Sequence, residues 1–174
     1  MTHPLIDQLR FTRSEFMRGV KGITDADARK RLLPMNCISW NIDHLAWQEQ
    51  RYFLHFRQGK MFFSDINESF AYGAPASTPP LKEVLSAWKK ITVAADPWLD
   101  TLTPAKLQKH VMSNSKPTAR IYSNLLQRVI YHYWYHIGEN LTIHQQLGHK
   151  RLPQFVGAID TQALYRPEGK AGKG

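Results

Sequence analysis

The sequence predicts an all-α protein, a four-helix bundle with up-down-down-up topology, on three observations. Four separate stretches, over residues 4–20, 39–58, 77–99 and 118–147, place apolar residues at near-helical spacing. Start and stop signals bound them, with Pro4 and Ser39 at beginnings and Gly22, Gly59 and Gly148 just past ends. The link over residues 60–80 is long enough to return along about 30 Å of helix, so the second and third helices can run parallel.

Each element has its own reason. In the first helix Leu5, Leu9, Phe16 and Val20 recur behind Pro4, whose missing N–H is no loss in a first turn. Residues 24–32 read as a capped turn or small helix, with Thr24 or Asp25 as cap and Pro34 as breaker. Ser39 is the expected N-cap of the second long helix, Asp43 lies in its first turn near the positive end of the dipole, and Gln58-Gly59 closes it. Along it Ile42, Leu45, Glu49, Tyr52, Phe53 and Phe56 make one broad face, with Trp40, His44, Gln48, Arg51 and His55 as an adjoining row.

The link over 60–80 has no period, yet it carries Met61, Phe62, Phe63, Phe70 and Tyr72, so it is expected to wrap the surface. The third helix is expected to start at Ser77 or Thr78 with Pro79 and Pro80 in its first turn. It would bury Leu81, Leu85, Trp88, Thr92, Ala95 and Leu99, and Pro97 should kink or end it. Residues 107–116 read as irregular or extended. The fourth and longest helix then runs from about Thr118 to Leu147, with Ile121, Leu125, Val129, His132, His136, Asn140 and Ile143 in one stripe. A short apolar ending over 152–159 lies back on the helices. The bundle thus spans residues 1–160, and residues 161–174 form a flexible basic tail, disordered beyond Arg166.

Composition narrows the function classes. With 174 residues, 43% hydrophobic and 21% charged, one well-buried domain is expected. Apolar runs are far too short for a membrane span, and no signal-peptide pattern opens the chain. A single cysteine, Cys37, rules out an intrachain disulfide or a thiolate zinc cluster, so the cytoplasm is the expected address and Cys37 reads as a small buried residue. The net charge of +9 comes with basic residues in all segments and without a nucleic-acid-binding signature, so a nucleic-acid partner is not expected.

One pattern carries chemistry. His132 and His136 stand at i and i+4, one above the other on a helix face, and can close on the same metal ion. Hydrogen-bonded core histidines are the competing explanation of such a pair, and a third ligand from another helix would decide between them. Of the other histidines, His55 lies about 16 Å along the helix from His44, too far to share an ion with it. His144 and His149 sit where a helix C-terminus favours positive charge, and His3 and His110 are expected in solvent.

The run Ile38-Ser39-Trp40-Asn41-Ile42-Asp43-His44-Leu45-Ala46, followed much later by His132-x-x-x-His136-x-Gly138-Glu139, resembles the DinB/YfiT-like family over roughly residues 4–160. That family carries a tryptophan shortly before a helix-two histidine and an H-x3-H-x-G-Q/E sequence on helix four. The resemblance implies a bundle of the topology above and a divalent metal, Zn²⁺ or Ni²⁺ with Fe²⁺ also compatible, held by His44, His132 and His136. It further implies a metal-dependent enzyme, either a transferase directing a low-molecular-weight thiol at an electrophile or a hydrolase, and a homodimer. Glu139 stands where the family often has glutamine. Three roles are open to it: catalytic base, hydrogen-bond acceptor behind a ligand, or helix-cap partner. A non-catalytic stress-response or binding bundle, its metal structural or absent, is the alternative.

Overall fold

The computed structural model describes residues 2–113, 116–154 and 156–166. Among these residues the chain is mostly helical, with one small two-stranded sheet. Helix α1 spans Pro4–Val20. Its cap is His3, buried rather than solvated as expected, whose Nδ1 accepts from the Leu5 amide at 3.1 Å. Helix α2, Asp25–Arg29, is capped by Thr24, whose hydroxyl oxygen accepts from the Asp27 amide.

Helix α3, Ile38–Glu49, begins two residues earlier than expected. Cys37 occupies the cap position, and Ser39 sits inside the helix with its hydroxyl 3.2 Å from Cys37 Sγ. Every residue of α3 is buried. It continues as a π-helical segment, Gln50–His55, then a last turn, α4, Phe56–Gln58, closed by Gly59 in the left-handed conformation at φ 64°. The wider π winding rotates the residues beyond it by roughly one residue's worth, ~100°. His55 consequently leaves the row of His44 and is exposed.

The long link returns over the outside, as expected, and contains helix α5, Ile66–Phe70. Gln50 ties it down: its side-chain carbonyl accepts from the Phe62 and Phe63 amides, and its NH₂ donates to the Phe63 carbonyl. Helix α6, Leu81–Leu99, starts after Pro79-Pro80 rather than around them, because a residue preceding proline is pushed to extended backbone and Pro80 itself sits at ψ 132°. The Leu81 amide finds a cap across space in Asp25 Oδ1, at 2.8 Å. Pro97 does not end α6, which runs two residues further.

After the short helix α7, Pro104–Leu107, come strands β1, His110–Ser113, and β2, Lys116–Ile121, paired antiparallel with an irregularity between His110 and Met112. Residues 118–121, expected as the first turn of the last helix, therefore belong to a strand. Pro117 keeps Lys116 extended, and Thr118 and Ile121 are β-branched. Helix α8 then covers Tyr122–Gln146. Helix α9, Ile159–Gln162, lies against α1, where Gln8 donates to the Ala163 carbonyl at 2.7 Å and Arg166 pairs with Asp7. Residues 167–174 of the expected tail lie outside the described residues.

The long helices pack α1 on α8 and α3 on α6, with α3 also against α8. Leu5 and Gln8 share a cleft with Asn124 and Gln127, and Gly19 shares another with His144, so α1 and α8 run the same way. Asn41 meets Asn140 and Glu49 meets Tyr133, so α3 runs against α8. Trp88 meets Tyr133 and Trp98 meets Tyr122, so α6 does too. Fully buried side chains such as Ile6, Leu9, Phe16, Ile42, Leu45, Ile91 and Leu99 fill the interior, each contributing about 1.5–3 kcal/mol.

A polar cluster crosses that interior. Arg13 Nε donates to Glu49 Oε1 at 2.8 Å and a second N–H pairs with Glu49 Oε2, while Tyr133 Oη donates to Glu49 Oε1 at 2.7 Å and Trp88 Nε1 donates to Tyr133 Oη at 2.6 Å. Burial opposes the Arg13 charge, but the Glu49 carboxylate outweighs it and holds the guanidinium above its ordinary value. Burial first, and Glu49 second, push the Tyr133 hydroxyl well up, so it stays a neutral donor. The four residues come from α1, α3, α6 and α8 and fix the helices to one another.

Candidate metal site

His44 lies in the middle of α3, and His132 and His136 lie one turn apart on the facing side of α8. One nitrogen from each comes within 4.8 Å of the other two, so the three can hold a metal ion. The His44 and His132 Nε2 atoms are 3.2 Å apart, and those of His136 and His132 are 3.1 Å apart. The structure thus brings together all three histidines named from the sequence.

The remaining ring nitrogens decide which tautomers are present. His44 Nδ1 is 2.5 Å from the Phe70 carbonyl, which can only accept, so Nδ1 carries the proton and Nε2 a lone pair. His136 Nδ1 is 2.6 Å from Glu139 Oε2, with the same consequence. His132 is then the odd member, since its Nδ1 is buried and hydrogen-bonded to none of the described residues. Its Nε2 faces two lone pairs and can donate to only one of them. A cation at the centre satisfies all three nitrogens at once, so the donor set fits a divalent metal.

Electrostatics points the same way. Burial, opposed by the Phe70 hydrogen bond, brings His44 down to about 4, and burial with the neighbouring imidazoles brings His132 down to about 3. Both rings are therefore neutral at physiological pH, the state in which imidazole ligates. His44 and His136 are 6% exposed and His132 is half-buried.

Several supporting residues escape sequence reasoning. The His44 ring is stacked between Trp40 at 4.8 Å and Trp47 at 5.2 Å, which leaves it little freedom to turn. Trp40, four residues before, is already legible as the tryptophan of the family resemblance and in the row of His44; Trp47, three residues after, is not, and its helical spacing is the signal that could have found it. Asn41 donates to Glu139 Oε2 at 3.1 Å and to Asn140 Oδ1 at 2.9 Å, linking α3 to α8 behind the ligands. The Phe70 carbonyl leaves no trace in the sequence, because backbone donors and acceptors are the same everywhere. Asp43, expected in the first turn, lies beyond it because α3 starts at Ile38; it is buried, and burial together with Asp65 and Glu83 raises its carboxyl to about 7.

The other histidines lie apart from the trio. His110 is exposed, with Nδ1 2.7 Å from the Thr118 carbonyl. His144 is buried at the far end of α8, Nδ1 to Nδ1 with His149 at 2.7 Å. No helix among the described residues is long and apolar enough to cross a membrane.

Comparison with curated proteins gives no match. The family description "DinB superfamily" matches residues 8–139, a span that opens in α1 and closes on Glu139, and so includes all three histidines and the carboxylate behind them. Over three quarters of its length, and with the trio inside the matched region, the chain belongs to the DinB superfamily.

Proposed function

We propose that the protein is a divalent-metal-dependent enzyme whose ion is held by His44, His132 and His136, acting on a small molecule either as a thiol transferase or as a hydrolase. The observation that carries this reading is the convergence of three imidazole nitrogens, two of them fixed as lone pairs by the Phe70 carbonyl and Glu139. Bound there, Zn²⁺, Ni²⁺ or Fe²⁺ supplies Lewis acidity that makes a water or thiol acidic near neutral pH. Trp40 and Trp47 hold the plane of His44, and Asn41 and Asn140 keep α3 in register with α8. Glu139 acts through His136 as a positioning residue: the oxygen that accepts from His136 also accepts from Asn41. The helix directions support the expected up-down-down-up four-helix bundle, with α1, α3, α6 and α8 as its members. A cytoplasmic homodimer belongs to the same reading, and Tyr131 and Tyr135, exposed one turn apart on α8, are the face offered for it.

The test is elemental analysis of the protein as isolated, followed by Zn²⁺ and Ni²⁺ uptake in wild type and His132→Ala, and then a thiol-dependent assay on electrophiles. Stoichiometric metal lost in the variant supports the site, and thiol consumption that tracks the metal supports the transferase. Protein without metal that takes up neither ion overturns the proposal. The alternative, a non-catalytic bundle with a structural ion, draws support from the burial of His44 and His136, and it predicts metal without any exchange of a small thiol at the site.

A further inference from the structure

The net charge of +9 has an address in the fold. No Asp or Glu occurs between Glu49 and Asp65, or between Asp100 and Glu139. The first of these stretches carries Arg51, Arg57 and Lys60, and the second carries Lys106, Lys109, Lys116, Arg120 and Arg128. Outside them, the remaining cations nearly balance the 14 acids. The two acid-free stretches meet in space, since α4 packs on β1 and the Arg57 guanidinium lies over the Tyr122 ring at 6.0 Å. Among the described residues no ion pair involves any of these eight cations. The acids at the end of α6 are already engaged, Asp96 by Arg13 and Asp100 by Arg10.

Where the stretches meet there is a cleft of about 540 Å³ between the end of the π-helical segment and the hairpin. That is the size of a small-molecule site. Val111 and Leu125 are buried beneath it, Phe56 and Met112 leave apolar surface exposed at 40% and 49%, and His55 and Arg120 stand among them. It is separate from the histidine trio: His55 follows His44 by about 16 Å of helix, and Leu125 precedes His132 by about 10 Å.

We propose that this cleft binds a small amphipathic anion, an aliphatic or aromatic carboxylate, with its apolar body on Phe56, Met112 and Leu125 and its carboxylate at Arg120 and His55. Charge complementarity selects the sign. The lining carries the Arg120 guanidinium and no carboxylate, and the Arg51 guanidinium lies 5.1 Å from the Phe56 ring, so the cleft attracts anions and repels other cations. The apolar floor selects the body, because a bare inorganic anion would leave Phe56 and Met112 in water. Guanidinium suits a carboxylate through paired N–H donors, which gives Arg120 the larger share of the head-group contact.

The experiment is titration of the full-length protein with octanoate, followed by amide chemical shifts and calorimetry, beside octan-1-ol, inorganic phosphate and a 20-nucleotide single-stranded DNA. The proposal expects saturable octanoate binding that perturbs Val111, Met112, Thr118 and Leu125, about tenfold weaker binding by Arg120→Gln, and weaker binding of octanol and phosphate than of octanoate. Arg120 is exposed, so unchanged thermal unfolding of the variant certifies its fold. A second variant, Met112→Gln, is expected to weaken octanoate but not phosphate. Equal affinity for octanol and octanoate, or octanoate shifts spread over the surface without saturation, would overturn the proposal. So would tighter, steeply salt-dependent DNA binding that ignores Met112→Gln, which would make the face a polyanion surface instead. None of these readouts involves the metal, so failure here leaves the histidine site untouched, and the reverse holds.

Discussion

Replacing Glu139 by alanine leaves three imidazoles in place and removes only what stands behind one of them. In the folded chain Glu139 Oε2 lies 2.6 Å from His136 Nδ1 and 3.1 Å from Asn41 Nδ2. Without it, the His136 proton has no acceptor and can move to Nε2, which removes the lone pair from the metal side. The ring also becomes free to turn. Partners of this kind are worth 10–100-fold in metal affinity, about 1.4–2.7 kcal/mol. Glu139→Gln separates the contributions, because the glutamine carbonyl still accepts from His136 Nδ1–H while the charge is gone. The expected order is wild type, then glutamine within about threefold, then alanine lower by 10–100-fold. Competition with a chromophoric chelator for Zn²⁺ at neutral pH reads all three. If alanine binds as tightly as wild type, tautomer control by Glu139 is wrong. If glutamine falls as far as alanine, the carboxylate charge matters rather than the acceptor.

Three further outcomes are expected. His132→Ala should abolish tight Zn²⁺ and Ni²⁺ binding while circular dichroism stays helical, since His132 is half-buried and its Nδ1 holds nothing else together; retention of stoichiometric metal would remove it from the ligand set. Glu49→Gln leaves the Arg13 charge in the interior with only the partly exposed Asp96, at 2.8 Å, and should cost about 3–5 kcal/mol, a fall in Tm of about 6–20 °C. A fall below about 2 °C in a thermal melt would show that the buried pair is not what holds the helices together. His144 is held below its ordinary value by burial and then by His149. The unfolded chain therefore takes up a proton, as pH falls below about 6.5, that the folded chain resists, and stability is lost on the acid side. Urea titrations at pH 7 and pH 5 should show a smaller acid loss in His144→Gln than in wild type, and parallel losses would count against a buried neutral His144.

The sequence made the helices and the ligand trio legible for different reasons. Apolar residues at helical spacing locate α1, α3, α6 and α8, because burial imposes that spacing along a long element. Their ends were less visible. The start of α6 turned on how two prolines restrict the residues before them, and the start of α8 on pairing between β1 and β2, a contact no local window contains. His132 and His136 are linked by local spacing, whereas His44 needed the family resemblance, since nothing local connects it to residues so far along the chain. Glu49 sat in the apolar row of its helix in plain view. Its partner Arg13 lies on another helix, and a carboxylate among apolar residues signals a buried partner without naming it.

The π-helical segment shows how local geometry separates two functions along one continuous helix. With regular α winding, His55 would stand on the same row as His44 and face the same neighbours. The extra residue per turn between Gln50 and His55 turns it aside, toward the cleft with Arg120. Glu49, just before the change, and Tyr52, within it, both remain buried. The histidine trio is thus kept among aromatic rings and amides, while the cationic cleft is confined to the end that lacks carboxylates. A variant with one residue inserted directly before His55 should carry that side chain on by ~100°, back toward the row of His44. It should then weaken octanoate binding more than Zn²⁺ binding, because the trio lies before the change in winding and the cleft after it. The opposite order would mean that the π segment serves the metal site.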